Sequence, residues 1–221
     1  MTTRPADQPG QPDQPDEPET RLLVGVCGAA NVMNLPAYLH ALRALPGCRI
    51  RVIMTASAAG ILPATTVRLV ADEVYCDGVH NADPGHIRLA RWADQFLLLP
   101  ATAHLLGQAA NGLAGNLVAT TLLAYADAAI FFPSMNGQMW KQPSVQRNVE
   151  RLRADGHQVV EPEPAECWEV ASASFQQAAG LPAPRVVAQM VGVLGMLVRR
   201  SGGAGQVPDG ALGEGDIDAG H

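Results

Sequence analysis

Between residue 21 and about residue 200, short apolar runs alternate with segments of helical spacing, and this alternation constrains the fold more than any other feature. Residues 21–27 form an apolar run that stops at Gly28-Ala29-Ala30 and reads as a buried first strand. Leu35, Leu39, Leu42 and Leu45 then recur at helical intervals, and Pro36 suits an early helical turn. Further strand-like runs fall at residues 49–54, 72–75, 95–99, 128–132 and 158–160. Helical segments fall at 56–70 (broken at Pro63), 87–93, 103–114, 117–125, 144–155 and 184–199. Strands that are apolar throughout need cover on both faces. Alternation with helices therefore predicts an α/β chain, a flavodoxin-like (Rossmann-type) three-layer fold with a parallel sheet. Ligands in such sheets sit at the carboxyl ends of the strands, which singles out the loops at 27–31, 55–58, 100–105 and 133–140.

The ends of the chain read differently. Residues 1–20 repeat Pro, Gln and Asp with almost nothing apolar, and residues 201–221 are Gly-rich and mildly acidic. Neither can bury enough surface to offset ordering entropy, so a disordered extension, one domain at 21–200 and a flexible tail are expected. The composition, 48% hydrophobic and 16% charged, suits one well-buried domain. A net charge of −6 provides no basic field for a phosphate backbone, which argues against a nucleic-acid partner. No apolar run reaches about 18 residues, and no signal-peptide pattern opens the chain, so neither a membrane span nor export is expected. A cytoplasmic location follows, in which Cys27, Cys48, Cys76 and Cys167 are reduced thiols. Their spacing is not that of a metal site, and no metal is expected.

Gly28-Ala29-Ala30-Asn31 follows the first strand and precedes a helix, where small residues let a phosphate or flavin approach backbone amides. A plain tight turn would look the same. Thr55 and Ser57 close the second strand; their hydroxyls could serve the same phosphate or simply cap a helix. Six histidines occur, and periodicity does not separate His86, after Asp83-Pro84-Gly85, from the others. Pro133-Ser134-Met135-Asn136-Gly137-Gln138-Met139-Trp140 places an amide among Met and Trp straight after a buried strand. This arrangement suits either the orientation of a small ligand or a packed loop.

Three segments together resemble the flavin-containing cysteine decarboxylases. His86-Ile-Arg-Leu-Ala-Arg-Trp-Ala-Asp94 leads into Pro100-Ala-Thr-Ala-His-Leu105, where the family has a His and then Pro-Ala-Ser-Ala-Asn-Thr. Residues 110–117, Ala-Asn-Gly-Leu-Ala-Gly-Asn-Leu, are similar to the family's Ala-Asn-Gly-Ile-x-Asp-Asn-Leu. Residues 133–140 match Pro-x-Met-Asn-x-x-Met-Trp in full. The order and spacing agree, and the similarity covers most of 21–175. His104, Leu105 and Gly115 depart from the pattern, while Thr102 keeps the hydroxyl of the family's Ser.

The resemblance implies FMN, with FAD as the alternative, bound at a subunit interface. It also implies a homo-trimer or an assembly of trimers such as a dodecamer. Gly28, Ala29, Thr55, Ser57, Ala101, Thr102 and Gly112 would hold the flavin. His86 would be the catalytic base, Asn136 would bind the substrate carboxylate, and Met139 would line the site. One branch of the family oxidatively decarboxylates a C-terminal Cys of a ribosomal precursor peptide, giving an aminoenethiol for aminovinyl-cysteine formation. The other decarboxylates phosphopantothenoylcysteine and re-reduces the product with a Cys in a Gly-rich motif ending in Arg-Met. Cys167 falls where that reductant would lie, but the glycines and the Arg-Met are missing, which resembles the peptidyl branch. The segment 163–175 is expected as a loop over the substrate tail. A non-catalytic binding subunit of the same fold is the alternative from another class; His86 and the full Met-Asn motif speak against it.

Overall fold

The computed structural model describes residues 19–78, 85–169 and 172–202, with backbone alone for 196–202. The terminal extensions expected at 1–20 and 201–221 fall almost wholly outside the described residues, as do His80 and His221.

Nine strands and nine helices are described. In chain order they are β1 (Thr20–Val26), α1 (Leu35–Arg43), β2 (Cys48–Met54), α2 (Ala56–Ile61), α3 (Ala64–Val67), β3 (Glu73–Cys76), α4 (His86–Trp92), β4 (Gln95–Ala101), α5 (Ala103–Ala110), α6 (Leu117–Ala124), β5 (Ile130–Pro133), β6 (Met135–Asn136), α7 (Gly137–Trp140), α8 (Pro143–Ala154), β7 (Gln158–Val159), β8 (Glu163–Glu169), β9 (Ser174–Gly180) and α9 (Pro184–Gly202). A short 3-10 turn at Ala30–Asn34 joins β1 to α1.

Six strands form a wholly parallel sheet in the order β3-β2-β1-β4-β5-β7. The direction of winding reverses between β1 and β4, so the loops after these two strands diverge and leave a crevice at the carboxyl edge. Side-chain alternation along β1 shows how both faces are covered. Leu22, Val24 and Val26 join the core under α1 and α9 with Leu39, Val52, Leu97 and Val187. Leu23 and Cys27 join the opposite core with Ile53, Phe96, Leu105, Val118 and Phe131, under α4, α5, α6 and α8. β4 is buried at every position from Gln95 to Ala101, as a central strand covered on both sides must be.

The strands and helices expected from periodicity are present, most within two residues of the expected bounds. The break at Pro63 splits 56–70 into α2 and α3, as its missing N–H requires. The segment expected as a loop over 163–175 is instead a strand pair. β8 and β9 form an antiparallel hairpin that takes β6 onto its other edge, giving a second sheet of order β6-β9-β8.

Candidate active site

The loops leaving β1, β2, β4 and β5 are tied to one another by backbone hydrogen bonds. Cys27 N donates to Pro100 O (3.2 Å), Thr55 N to Val26 O (3.0 Å), and Ser134 N to Ala101 O (2.9 Å). Asn31 Nδ2 reaches across to donate to Ser134 Oγ at 2.8 Å. A Cβ on Gly28 would sit 2.6 Å from Ser57 Cβ, so the β1 loop lies against the first turn of α2 only because it carries no side chain there. Between these loops opens a cleft of about 700 Å³, within the size range of small-molecule sites.

Two hydroxyl caps face this cleft. Thr55 Oγ1 accepts from Ala58 N at 3.2 Å, and Thr102 Oγ1 accepts from Leu105 N at 3.3 Å at the start of α5. Each cap satisfies an orphan amide through its oxygen, which leaves the hydroxyl proton to donate. Among the described residues the lining includes no Lys or Arg. An anionic group would therefore be held here by hydroxyls and helix-start amides rather than by cations. Cys27 also lines the cleft, but burial pushes its thiol up to about 12, so it stays protonated.

β6 places Asn136 on the far wall. Asn136 Oδ1 accepts from Gln138 N at 2.8 Å, capping α7, which leaves the Nδ2 amide to point outward. That amide donates to Glu169 Oε1 at 3.2 Å. A Cβ on Gly137 would lie 2.8 Å from the Gln177 carbonyl, so the hairpin backbone is seated directly on this segment. Cys167 and Ala178 of the hairpin close the cleft opposite Met135 and Met139.

The structure gathers Gly28, Ala29, Thr55, Ser57, Thr102, Asn136, Met139 and Cys167 around one cleft. Three other sequence-predicted residues lie elsewhere. Ala101 is fully buried beneath the floor; Gly112 is exposed at φ +65°, just past α5; His86 opens α4 away from the lining. Reading the sequence by residue type left out Asp77, Gln108 and Asn116, which also line the cleft. Asp77 could have been found as the residue just after a parallel strand, here β3, and Asn116 as a helix cap, since its Oδ1 accepts from Ala119 N at 2.9 Å. Gln108 carried no signal: it fills the space beside Gly115 and accepts from Asn116 Nδ2 at 3.1 Å.

A doubly wound parallel sheet whose carboxyl edge opens into a cleft of small residues and hydroxyl caps defines a nucleotide-cofactor enzyme of α/β class. The Flavoprotein family model matches residues 11–191. The chain is 42% identical over 167 residues to mersacidin decarboxylase of Bacillus sp. (strain HIL-Y85/54728), covering 75% of this chain and 86% of that protein. The structure of MrsD from Bacillus sp. HIL-Y85/54728 superposes with TM-score 0.69 at 40% identity, over 80% of this chain and 96% of the other. The crystal structure of SpaF, an FMN-dependent cysteine decarboxylase, gives TM-score 0.67 at 31% identity, over 81% and 97%. The chain belongs to the flavoprotein family, among its cysteine decarboxylases.

Proposed function

We propose that this chain uses FMN to decarboxylate oxidatively the C-terminal cysteine of a ribosomally made peptide, releasing an aminoenethiol. The observation that carries the reading is the Asn136 amide. Its oxygen is engaged by Gln138 N, so the group it turns outward is a pure donor, and its partner is a carboxylate. A substrate's terminal carboxylate would be held there, which turns binding into positioning. The resemblance to mersacidin decarboxylase over most of both chains favours a peptide over a pantothenoyl substrate.

Gly28, Ala29, Thr55, Ser57 and Thr102 would hold the flavin, whose phosphate suits the capping hydroxyls and the start of α5. When bound, FMN supplies the two-electron acceptor that a cysteine side chain lacks, so that CO2 can leave from an oxidised substrate. Met135 and Met139, which line the cleft, would flank the substrate there. His86 would take the thiol proton. Because His86 does not line its own chain's cleft, it would serve the site of a neighbouring copy in a homo-trimer. The exposed apolar side chains Ile87, Leu113 and Leu123, on and around α4 and α6, fit burial in such an assembly. Ala101 would support the flavin loop from below, and Gly112 would contact flavin across the same interface. A cytoplasmic setting is consistent with the helices, none of which among the described residues is long and apolar enough to cross a membrane.

Cys167 lines the cleft, and this favours a second reading in which it returns electrons to a phosphopantothenoylcysteine-derived product. Mass spectrometry of yellow protein incubated with each substrate separates the two. Loss of CO2 plus two hydrogens from a Cys-terminated peptide is expected. Loss of CO2 alone, confined to phosphopantothenoylcysteine and abolished by Cys167→Ser, would reverse the assignment.

A further inference from the structure

In the register of a flat antiparallel sheet, Asn136 and Glu169 should not meet. Asn136 pairs with Ala178 of β9, and Ala178 pairs with Ala165 of β8, while Glu169 lies four residues further along β8 and pairs with Ser174. In a flat sheet two strand spacings and four residues of rise separate the two Cα atoms by about 16 Å, farther than the side chains can bridge. Their hydrogen bond of 3.2 Å therefore means that β8 curls back so that its Glu169 end lies over β6. Cys167, two residues earlier on the same face of β8, lines the cleft, so the curled face is the one turned toward the site. β8 thus lies against the Asn136 wall of the cleft.

What fastens it is a carboxylate on the Asn136 amide. Glu169 is not needed to orient that amide, because Gln138 N already fixes Asn136 through its oxygen at 2.8 Å. The bond thus adds nothing to the geometry of Asn136 and occupies one of the two N–H groups of its outward amide. We propose that Glu169 is an internal stand-in for the substrate's terminal carboxylate, a latch that holds the hairpin closed on Asn136 until a free C-terminal carboxylate displaces it. The proposal rests on the reading of Asn136 as the carboxylate-binding residue. Exchange of one carboxylate for another at this amide, where two like charges cannot sit side by side, would make Glu169 a specificity-determining residue. A peptide whose terminus is an amide or a further residue brings no carboxylate to the right place and would not open the latch, whereas a true C-terminus would. Two carboxylates also repel at this distance, so the arriving terminus would push the end of β8 away while it took its place.

The test uses flavin-loaded protein and a ligand that cannot react: a short peptide ending in Ser in place of Cys, as the free acid and as the C-terminal amide. Binding is titrated calorimetrically to the wild type, Glu169→Ala and Glu169→Gln. Removing a charged competitor should tighten free-acid binding to Glu169→Ala by about five- to tenfold, the scale of one charge-assisted hydrogen bond at a half-exposed site. Glu169→Gln, which keeps an acceptor but loses the charge, should fall between the two. Amide binding should be weakest in the wild type and should also tighten in Glu169→Ala, where no latch excludes it. Unchanged or weaker free-acid binding to Glu169→Ala, with acid still preferred over amide by the wild type, would overturn the latch and leave Asn136 as the carboxylate site. Equal binding of acid and amide to the wild type would remove the carboxylate role of Asn136, and the latch with it.

Discussion

Gly28 and His157 show how single residues decide separate properties of this molecule. A Cβ at Gly28 would lie 2.6 Å from Ser57 Cβ, against the first turn of α2 rather than against a flexible side-chain end. Gly28→Ala should therefore push apart two loops of the cleft without touching either core. A flavin affinity reduced by about tenfold, corresponding to roughly 1.4 kcal/mol, is expected with an unchanged far-ultraviolet spectrum; titration of the apoprotein with FMN measures it. Thr102→Val removes both a cap and a hydroxyl. It should lower stability by about 1 kcal/mol in chemical denaturation and weaken FMN as well, whereas Thr102→Ser should restore both. His157 sets a pH response instead. Its Nδ1 accepts from Ala129 N at 3.2 Å, its ring meets Phe131 edge-on, and burial depresses its pKa below the usual 6.5. The native state thus binds a proton less readily than the unfolded chain. The stability contributed by neutral His157 is complete above about pH 6.5 and declines as pH falls through the lower native value. Melting temperatures recorded from pH 7.5 to 5 should fall less steeply for His157→Gln, which keeps an acceptor that does not titrate; an identical slope would remove this role.

At the scale of elements, the sheet and the hairpin differ in what their sequences reveal. β1, β2, β4 and β5 are apolar on both faces because helices cover both, and a run such as Phe96-Leu97-Leu98-Leu99 has few other uses. These strands, their helices and the four loops at their carboxyl ends were legible for that reason. The hairpin was not. Its two faces carry Glu, Gln, Ser and Ala, with Trp168 and Phe175 stacked edge-to-face on the exposed side, so no alternation of apolar and polar residues marks it. Its turn also lacks an Asn-Gly pair, and Ala173 takes the positive φ of 45° that such a pair usually supplies. The strand pairing of this segment was thereby hidden, and with it the contact of Glu169 with Asn136. Since the outer half of the hairpin contributes no core residue, replacing 167–176 by a short Gly-Ser link should leave the melting temperature and bound flavin almost unchanged. The same change should lower kcat/KM for the peptide by at least about tenfold; steady-state kinetics beside a flavin spectrum separates the two.

For the whole molecule, the decisive quantity is how many copies complete one site. Asn136 and the capping residues Thr55 and Thr102 converge on one cleft of a single chain, but His86 opens α4 outside that cleft. Periodicity alone is silent on this, because it reports which residues are buried and not which copy of the chain they would serve. If a neighbour supplies the histidine, His86→Asn and Asn136→Ala chains, each inactive alone, should recover activity when co-expressed, since some interfaces then pair an intact histidine with an intact asparagine. Recovery of a substantial part of wild-type turnover, with light scattering reporting a mass of three chains or a multiple of three, is the expected result. Strict absence of complementation in a mixed assembly would return His86 to its own chain.

The cleft wall described above, capped by Thr55 and Thr102 and without Lys or Arg among the described residues, has a consequence for handling the protein. Fixed dipoles anchored at strand ends act over short range and are poorly screened, whereas paired charges weaken as the ionic atmosphere tightens. On this chain's side, cofactor retention should then be nearly indifferent to ionic strength. Washing an immobilised sample with molar sodium chloride should leave it yellow, and stripping it should require a chaotrope that loosens the loops themselves.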